Sequence, residues 1–398
     1  MGKLSNRINT IAESQTIAMA RKSRELKAQG VDIISLSLGE PDFSTPDIIK
    51  NAAKQAIDDN FSYYTHVSGY VELREAICEK FKRDNGLHYA ADEIVVSTGA
   101  KQSIANAVLC LVNPGDEVIV PAPYWVSYLE ILKLAEGEAV ILNTDLSTDF
   151  KITPPQLAAS ITPKSKLIIL STPCNPTGSV YSKEELRALS EVILKHPDLY
   201  VISDEIYEHI NFCGGHQSFA QFEGMKDRVI TINGLSKGFA MTGWRGGIMA
   251  APKWIAQACD KMQGQFTSAT SSITQKAMHK AMTLDYETYI RPMRDAFLKR
   301  RDLVHGLMKN IPGFKTNLPQ GAFYFYPEVS YYFGKKYGEH HIQNATDLSL
   351  FLLDVAHVAL VPGAAFGDDH YIRFSYATSE ANLTEALKRM TEALSKLQ

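Results

Sequence analysis

The chain has 398 residues, 45% of them hydrophobic and 21% charged, with a formal net charge of −3. This length predicts two to three domains with room for large cores, and the near-neutral charge argues against nucleic acid and anionic membranes as partners. The five scattered cysteines fit neither a disulfide framework nor a zinc site, and no apolar run approaches the length of a membrane span. The basic N-terminal stretch also fits a transit peptide, but the segment 16–29 has the pattern of an ordinary helix that ends at Gly30. We therefore expect a cytoplasmic protein without a metal centre.

Short apolar runs alternate with helical patterns along the first three quarters of the chain, which predicts an α/β domain with a mostly parallel sheet. From about residue 290, a long charged helix at 294–309, an aromatic stretch at 322–326 and a strand at 371–375 predict a smaller α+β domain. The predicted strands of the first part are 33–36, 94–96, 118–120, 139–142, 167–170, 200–202, 229–232 and 247–250, with helices at 48–58, 71–84, 102–111, 183–194 and 254–262.

Polar and aromatic side chains follow several of these strands at the point where each strand ends. Trp125 follows the strand at 118–120, and Asn175 follows the strand at 167–170. Since ligands of open α/β sheets bind beyond the carboxyl ends of the strands, we expect these side chains to face one crevice. The same reasoning applies to Asp204, Tyr207 and Lys237, which follow the next two strands.

This set of side chains has the chemistry of a pyridoxal phosphate site. The amine of Lys237 can bond to the cofactor aldehyde and then carry a substrate proton. Asp204 would keep the pyridine nitrogen protonated, Tyr207 and Asn175 would bind the phenolic oxygen, and Trp125 would stack on the ring.

The phosphate and the substrate need cationic partners. Arg245 offers a planar fork for the phosphate, aided by backbone N–H groups of Gly99, Ala100 and Lys101 at the start of a helix. Arg373, on the late strand, would clamp the substrate carboxylate at two points.

The lysine segment also permits a different enzyme. The stretch from Gly234 to Gly238 is a formal Gly-x-Ser-x-Gly match between a strand and a helix, the layout of a serine-hydrolase nucleophile elbow. Ser236 would then be the nucleophile, with a later aspartate and histidine as partners, for example Asp354 and His370. No oxyanion-hole motif precedes it, so the hydrolase is the weaker hypothesis.

Several motifs resemble those of class I aminotransferases of fold-type I, and the resemblance extends from about residue 14 to the C-terminus. The bacterial-type aspartate aminotransferases are the most similar subgroup, on the segments 97–102 and 123–128. The motifs are Leu-Gly-Glu-Pro-Asp-Phe at 38–43, Asn-Pro-Thr-Gly at 175–178, Ser-Asp-Glu-Ile-Tyr at 203–207, Ser-Lys-Gly-Phe-Ala-Met-Thr-Gly-Trp-Arg at 236–245 and Arg-Phe-Ser-Tyr-Ala-Thr at 373–378.

The resemblance implies a fold-type I pyridoxal-phosphate transferase whose large domain has a mostly parallel seven-stranded sheet. The large cofactor domain would span 46–290, and a smaller domain with an N-terminal arm would comprise 1–45 and 291–398. It also implies a homodimer with shared active sites. Tyr64 would reach the phosphate in the partner's site, Gly39 would contact substrate through its backbone, and Ser236 would line the cofactor site.

The predicted reaction is transfer of the amino group of L-aspartate to 2-oxoglutarate in two half-reactions, with amino acids and 2-oxo acids as the small-molecule partners. Aromatic, alanine-like or prephenate substrates are the alternatives within the family. A buried second carboxylate needs a cation, and Lys101 is the best candidate, with hydroxyl contacts from Ser14 and Thr16. Relatives often have a phosphate-binding serine where this chain has Gly234. Binding of the phosphate would therefore depend more on Arg245, the loop at Gly99 and Tyr64.

Overall fold

The computed structural model describes residues 4–13 and 15–398, so Ser14 lies outside the described residues. Within these ranges, we find no helix whose length and apolar character would let it cross a membrane. The helices are α1 Asn6–Asn9, α2 Gln15–Ala28, α3 Asp47–Asp58, α4 Val71–Lys80, α5 Ala100–Leu111, α6 Ser127–Leu134, α7 Pro154–Ser160, α8 Lys183–Ile193, α9 Lys253–Phe266, α10 Ser272–Met282, α11 Tyr286–Tyr289, α12 Arg291–Met308, α13 Ala345–Val355 and α14 Glu380–Leu394. The strands are β1 Ile34–Ser35, β2 Ile94–Thr98, β3 Glu117–Ala122, β4 Glu138–Asn143, β5 Ser165–Ser171, β6 Tyr200–Asp204, β7 Val229–Gly234, β8 Gly246–Ala250, β9 Tyr324–Phe325, β10 Lys336–Tyr337, β11 His340–His341, β12 Val358–Ala359, β13 Val361–Pro362 and β14 Ile372–Ser375.

A seven-stranded sheet in the order β2-β8-β7-β6-β5-β3-β4 forms the centre of the molecule. Only β8 is reversed, because it pairs antiparallel with both β2 and β7 while the other neighbours pair in parallel. The predicted, mostly parallel sheet is therefore confirmed. The carboxyl ends of β2, β5, β6 and β7 lie at one edge, which is where the sequence placed the polar residues.

Helices cover both faces of this sheet, as alternate residues of its strands show. Leu167 and Ile169 of β5 belong to one buried apolar cluster, whereas Ile168 and Leu170 belong to another. Successive side chains of a strand point to opposite faces, so both faces of β5 are buried. This explains why the central strands are continuous apolar runs rather than alternating ones.

The predicted strand at 33–36 forms but lies outside the large sheet. As β1 it pairs in parallel with β12, with Ile34 opposite Val358. A three-stranded sheet, β13-β14-β9, packs nearby in a third apolar cluster that includes Phe325, Phe374 and Leu387. Leu36 joins the same cluster, so the N-terminal segment packs with the last hundred residues. The domain boundaries at 45 and 290 stay a prediction.

Candidate active site

A cavity of about 470 Å³ opens at the carboxyl ends of β5, β6 and β7. It brings together most of the residues that the sequence singled out, although they come from widely separated segments. The predicted site residues that line it are Thr16, Gly39, Ala100, Lys101, Trp125, Asn175, Asp204, Tyr207, Ser236, Lys237, Arg245 and Arg373.

The amine of Lys237 lies inside this cavity, three residues beyond the end of β7. Its Nζ donates to the backbone oxygen of Gly39 at 2.5 Å, across 198 residues of sequence. Burial lowers the pKa of Lys237 to about 8, although the charge of Glu40 opposes the shift. A lysine with a lowered pKa has a larger neutral fraction near neutral pH, so its nitrogen is available as a nucleophile.

The carboxylate of Asp204 lies at the end of β6 and is almost fully buried. Burial raises the pKa of Asp204 to about 6, against hydrogen bonds from Tyr128 and the backbone of Ile206 that lower it. The Tyr128 hydroxyl donates to Oδ2 at 2.6 Å, and the Ile206 N–H donates to Oδ1 at 3.3 Å. A buried carboxylate held in this way favours a cationic group beside it.

Arg373 reaches the cavity from β14 and is 2% exposed. Its Nη1 donates to Oδ1 of Asn175 at 2.9 Å, and its Nη2 donates to the backbone oxygen of Ser37 at 2.7 Å. The guanidinium lies 4.5 Å from the ring centre of Tyr324. Its Nε is buried and has no acceptor among the described residues, so one donor of the guanidinium is unpaired.

A third part of the cavity has the features of an anion site. Gly99 has φ +86°, directly before α5, and a Cβ built on it would lie 2.3 Å from Nη2 of Arg245. The guanidinium therefore packs on the glycine backbone, next to the N-terminal N–H groups of α5. Such a helix start combined with arginine attracts phosphate or carboxylate groups.

The structure also explains the absence of a serine three residues before the lysine. A Cβ on Gly234 would lie 2.8 Å from the backbone oxygen of Gly246 and 3.3 Å from the Cα of Gly247. A serine at this position would need the backbone of β8 to move. Glycine at 234 is therefore a packing requirement of this chain.

Three predicted residues differ from the rest in where they lie. Gly99 does not itself line the cavity in the described structure but forms the wall that supports Arg245. Tyr64 is 96% exposed and lies outside the cavity. Ser14 lies outside the described residues. Lys101 does line the cavity, with its Nζ 4.9 Å from the ring centre of Trp125.

The serine-hydrolase triad is not assembled, so that hypothesis is wrong for this structure. Ser236 lines the cavity, but the described lining includes neither Asp354 nor His370. His370 is an exposed side chain that hydrogen-bonds to Asp368 at 2.8 Å, and Asp354 lies 4.0 Å from Lys22.

Sequence reasoning gave no role to several lining residues, among them Tyr128, Tyr324 and Glu40. The hydroxyls of Tyr324 and Tyr207 lie 2.7 Å apart, and Tyr128 contacts Asp204. The only signals in the sequence were their positions inside an aromatic stretch or a family-like motif. Such a position does not indicate a site, because a buried tyrosine there is more often part of the core.

Comparison with known proteins identifies the family. Residues 31–390 match the model of the class I and II aminotransferases. The chain belongs to this family. A bifunctional aspartate aminotransferase and glutamate/aspartate-prephenate aminotransferase of Petunia hybrida is 48% identical over 98% of this chain and 82% of the relative.

Solved structures agree with this assignment. The aspartate aminotransferase of Rhizobium meliloti has a TM-score of 0.96 with 41% identity, covering 100% of both chains. The Thermus thermophilus aspartate aminotransferase with maleate has a TM-score of 0.93 with 38% identity, covering 99% of this chain and 100% of the other. The predicted fold-type I architecture of this aminotransferase is confirmed.

Proposed function

We propose that this aminotransferase moves the amino group of L-aspartate to 2-oxoglutarate, with pyridoxal phosphate held in the cavity. The observation that supports this most directly is the convergence of Lys237, Asp204 and Arg373 on one 470 Å³ space. An amine nucleophile, a buried carboxylate and a free guanidinium donor are what transamination of an amino acid needs.

The residues present fit the cofactor at each of its polar groups. Asp204 is the buried anion that would pair with the ring nitrogen, and Tyr207 with Asn175 would bind the phenolic oxygen. Arg245 and the start of α5 would form the anion cradle for the phosphate, and a Cβ at position 99 would collide with the Arg245 guanidinium there. When bound, pyridoxal phosphate supplies an electron sink for the carbanion that forms at the substrate α-carbon.

The chain's own contribution is to hold, orient and move protons. Lys237, freed from its contact with the Gly39 backbone, would accept the substrate α-proton at Nζ and then donate it to the cofactor, so the amine would act first as a base and then as an acid. Its lowered pKa of about 8 suits a base that works near neutral pH. Trp125 would cover one face of the ring, and Arg373 would fix the substrate α-carboxylate.

The preference for a dicarboxylate rests on Lys101 and on the relatives. Partial desolvation, together with the charge of Arg245, lowers the pKa of Lys101, so an anion near its Nζ would stabilise it. Thr16 has a buried hydroxyl without a partner among the described residues, which is available to the same ligand. The Thermus thermophilus protein is described with maleate, a dicarboxylate, and the Petunia protein is named for aspartate, glutamate and prephenate.

We propose further that the protein is a cytoplasmic homodimer in which Tyr64 of one subunit completes the phosphate site of the other, with 46–290 as the cofactor domain. Tyr63 and Tyr64 are 83% and 96% exposed. Two adjacent exposed aromatic side chains are typical of a surface that another protein covers.

The test is to locate the cofactor chemically and then to rank substrates. Borohydride reduction of the coloured protein, followed by peptide mapping, should label Lys237, and the Lys237→Ala variant should not be labelled there. The Lys101→Ala variant serves as the control and should still be labelled on Lys237. Colourless protein that added pyridoxal phosphate does not restore would overturn the proposal. A substrate panel in which phenylalanine or alanine exceeds aspartate as amino donor, or prephenate exceeds 2-oxoglutarate as acceptor, would replace the aspartate assignment by that alternative.

A further inference from the structure

The residue that contacts Asp204 most closely is Tyr128, on the first turn of α6. Its hydroxyl donates to Oδ2 of Asp204 at 2.6 Å, and the tyrosine is 2% exposed. Burial and the neighbouring carboxylate raise the pKa of Tyr128 well above its usual value. The phenol therefore stays protonated and acts as a donor at every pH at which the enzyme works.

Tyr128 donates to a carboxylate whose ionised form is destabilised by burial. Burial moves the pKa of Asp204 up to about 6, and the Tyr128 bond is the largest opposing contribution. Hydrogen bonds to a charged group are among the stronger ones in proteins, worth roughly twice a neutral pair. Without Tyr128, the remaining hydrogen bond to the Asp204 carboxylate from the described residues is the 3.3 Å bond from the Ile206 N–H.

We propose that Tyr128 is a positioning residue that keeps the Asp204 carboxylate ionised and fixed, and thereby sets the charge that the cofactor ring nitrogen meets. This inference rests on the proposed function, because it gives Asp204 the ring nitrogen as its partner. In a nearly dry site, a carboxylate that loses its donor competes for the proton on that nitrogen. A ring that loses the proton is a poorer electron sink, so proton removal from the substrate becomes slower.

The first experiment compares Tyr128→Phe with wild-type holoenzyme, using Tyr124→Phe as the matched control. Tyr124 lies on the same segment but outside the lining of the main cavity in the described structure, so its variant removes a hydroxyl without touching Asp204. We expect kcat for aspartate to fall about 10- to 100-fold in Tyr128→Phe, with KM changed little. Tyr124→Phe should stay close to wild type.

The second readout does not depend on turnover. The pH midpoint of the visible absorption of the holoenzyme should move upward in Tyr128→Phe, by up to about one pH unit. A merely structural tyrosine would not move this midpoint. The other titratable groups that act on Asp204 are Lys237, Glu205, Tyr207 and Cys174, and all of them remain in the variant.

Two further comparisons show whether the effect passes through Asp204. In an Asp204→Asn background, adding Tyr128→Phe should change neither kcat nor the absorption midpoint. In protein reconstituted with a cofactor analogue whose ring nitrogen is replaced by carbon, wild type and Tyr128→Phe should react at the same rate. Equal effects of Tyr128→Phe in all backgrounds would assign it a structural role and overturn the inference.

If Tyr128→Phe does not fold, a difluorotyrosine placed at position 128 keeps the test open. It is a stronger donor of nearly the same shape, so the absorption midpoint should shift in the opposite direction. An unchanged midpoint with either replacement would overturn the inference. A wild-type protein that binds no pyridoxal phosphate would instead refute the proposed function, which separates the two failures.

Discussion

Arg373 and Asn175 are joined by a 2.9 Å hydrogen bond from Nη1 to Oδ1, although 198 residues separate them in sequence. The bond links β14 of the small sheet to the loop that follows β5 of the large one. It fixes the guanidinium plane while the buried Nε stays unpaired among the described residues. The orientation of Arg373, the proposed clamp of the substrate carboxylate, is therefore set before any ligand arrives.

Replacing Arg373 by lysine should remove this orientation while keeping the positive charge. A lysine has no planar fork, so it cannot bind Asn175 and a carboxylate at the same time. We expect kcat/KM to fall by about 2–5 kcal/mol of transition-state binding, equally for aspartate and alanine. Arg389→Lys, at a surface pair with Asp32, is the control. A loss confined to aspartate would show that Arg373 binds the side chain instead.

Lys101→Ser should separate substrates by charge. We expect kcat/KM for aspartate and glutamate to fall by roughly 2–4 kcal/mol, because a buried carboxylate would lose its cation. Alanine and phenylalanine should be affected far less, and Lys133→Ser, which removes a surface cation paired with Glu130, should change neither class. Equal losses for aspartate and alanine would contradict the assignment of Lys101 to the distal carboxylate.

The position of Tyr64 can be tested by mixing subunits. One subunit has Tyr64→Phe with Lys237 intact, and the other has Lys237→Ala with Tyr64 intact. If Tyr64 acts across the dimer, each hybrid contains one wild-type site and one doubly defective site, so activity per Lys237 should recover after exchange. Tyr63→Phe in place of Tyr64→Phe is the control. Activity that stays at the Tyr64→Phe level would place the two residues in separate sites.

Gly99→Ala should weaken cofactor binding. The added Cβ would lie 2.3 Å from Arg245, and alanine is strained at φ +86°, which costs about 1–3 kcal/mol. The dissociation constant for pyridoxal phosphate, measured by absorbance titration of apoprotein, should rise about 10- to 100-fold. Gly306→Ala lies in α12 with nothing within 4 Å of the new Cβ and should leave that constant unchanged. An unaltered affinity for pyridoxal phosphate in Gly99→Ala would contradict the placement of the phosphate at this loop.

A buried ion pair behind the site gives a prediction for stability. The side chains of Lys80 and Glu208, 4% and 3% exposed, are in direct contact, and Lys80 holds the pKa of Glu208 far below its ordinary range against the effect of burial. Removing one partner of such a pair costs about 3–5 kcal/mol. We therefore expect Lys80→Met to lower the free energy of urea unfolding at neutral pH by that amount.

The pH dependence and a surface control test the same pair. A depressed carboxyl pKa contributes stability above the unfolded-state pKa and loses it as pH falls, so the gap between wild type and Lys80→Met should narrow in acid. Lys226 pairs with Glu93, and its side chain is 41% exposed. Lys226→Met should therefore lower the free energy of unfolding by under about 1 kcal/mol. A gap that widens in acid would mean that Glu208 is not held ionised by Lys80.

The residues that sequence alone placed correctly share one property. Asn175, Asp204 and Lys237 each follow an apolar run that is a strand in any arrangement of the sheet, so their position at its carboxyl edge depends only on local pattern. No comparable local pattern identifies Tyr128 or Tyr324 as a site residue. Their roles come from contacts with Asp204 and Tyr207 across 76 and 117 residues, which no local pattern records.

The fold shows the same division between local and distant information. The run at 33–36 has a strand pattern, but its pairing with Val358 depends on how the last part of the chain packs. The reversal of β8 has no local signal either, since Gly247 allows its close approach to Gly99 without indicating strand direction. Apolar periodicity predicts elements, whereas pairing depends on the packing of the finished chain.

The 198-residue separation of Asn175 from Arg373 has a consequence for biosynthesis. At about 5–20 residues per second, a ribosome needs roughly 10–40 s to pass from one residue to the other. During that interval the large sheet can form, since its last strand ends at Ala250, while Arg373 has not yet been synthesised. A nascent chain is therefore able to place Lys237 and Arg245 beside the sheet well before Arg373, the proposed partner of the substrate carboxylate, reaches the cavity.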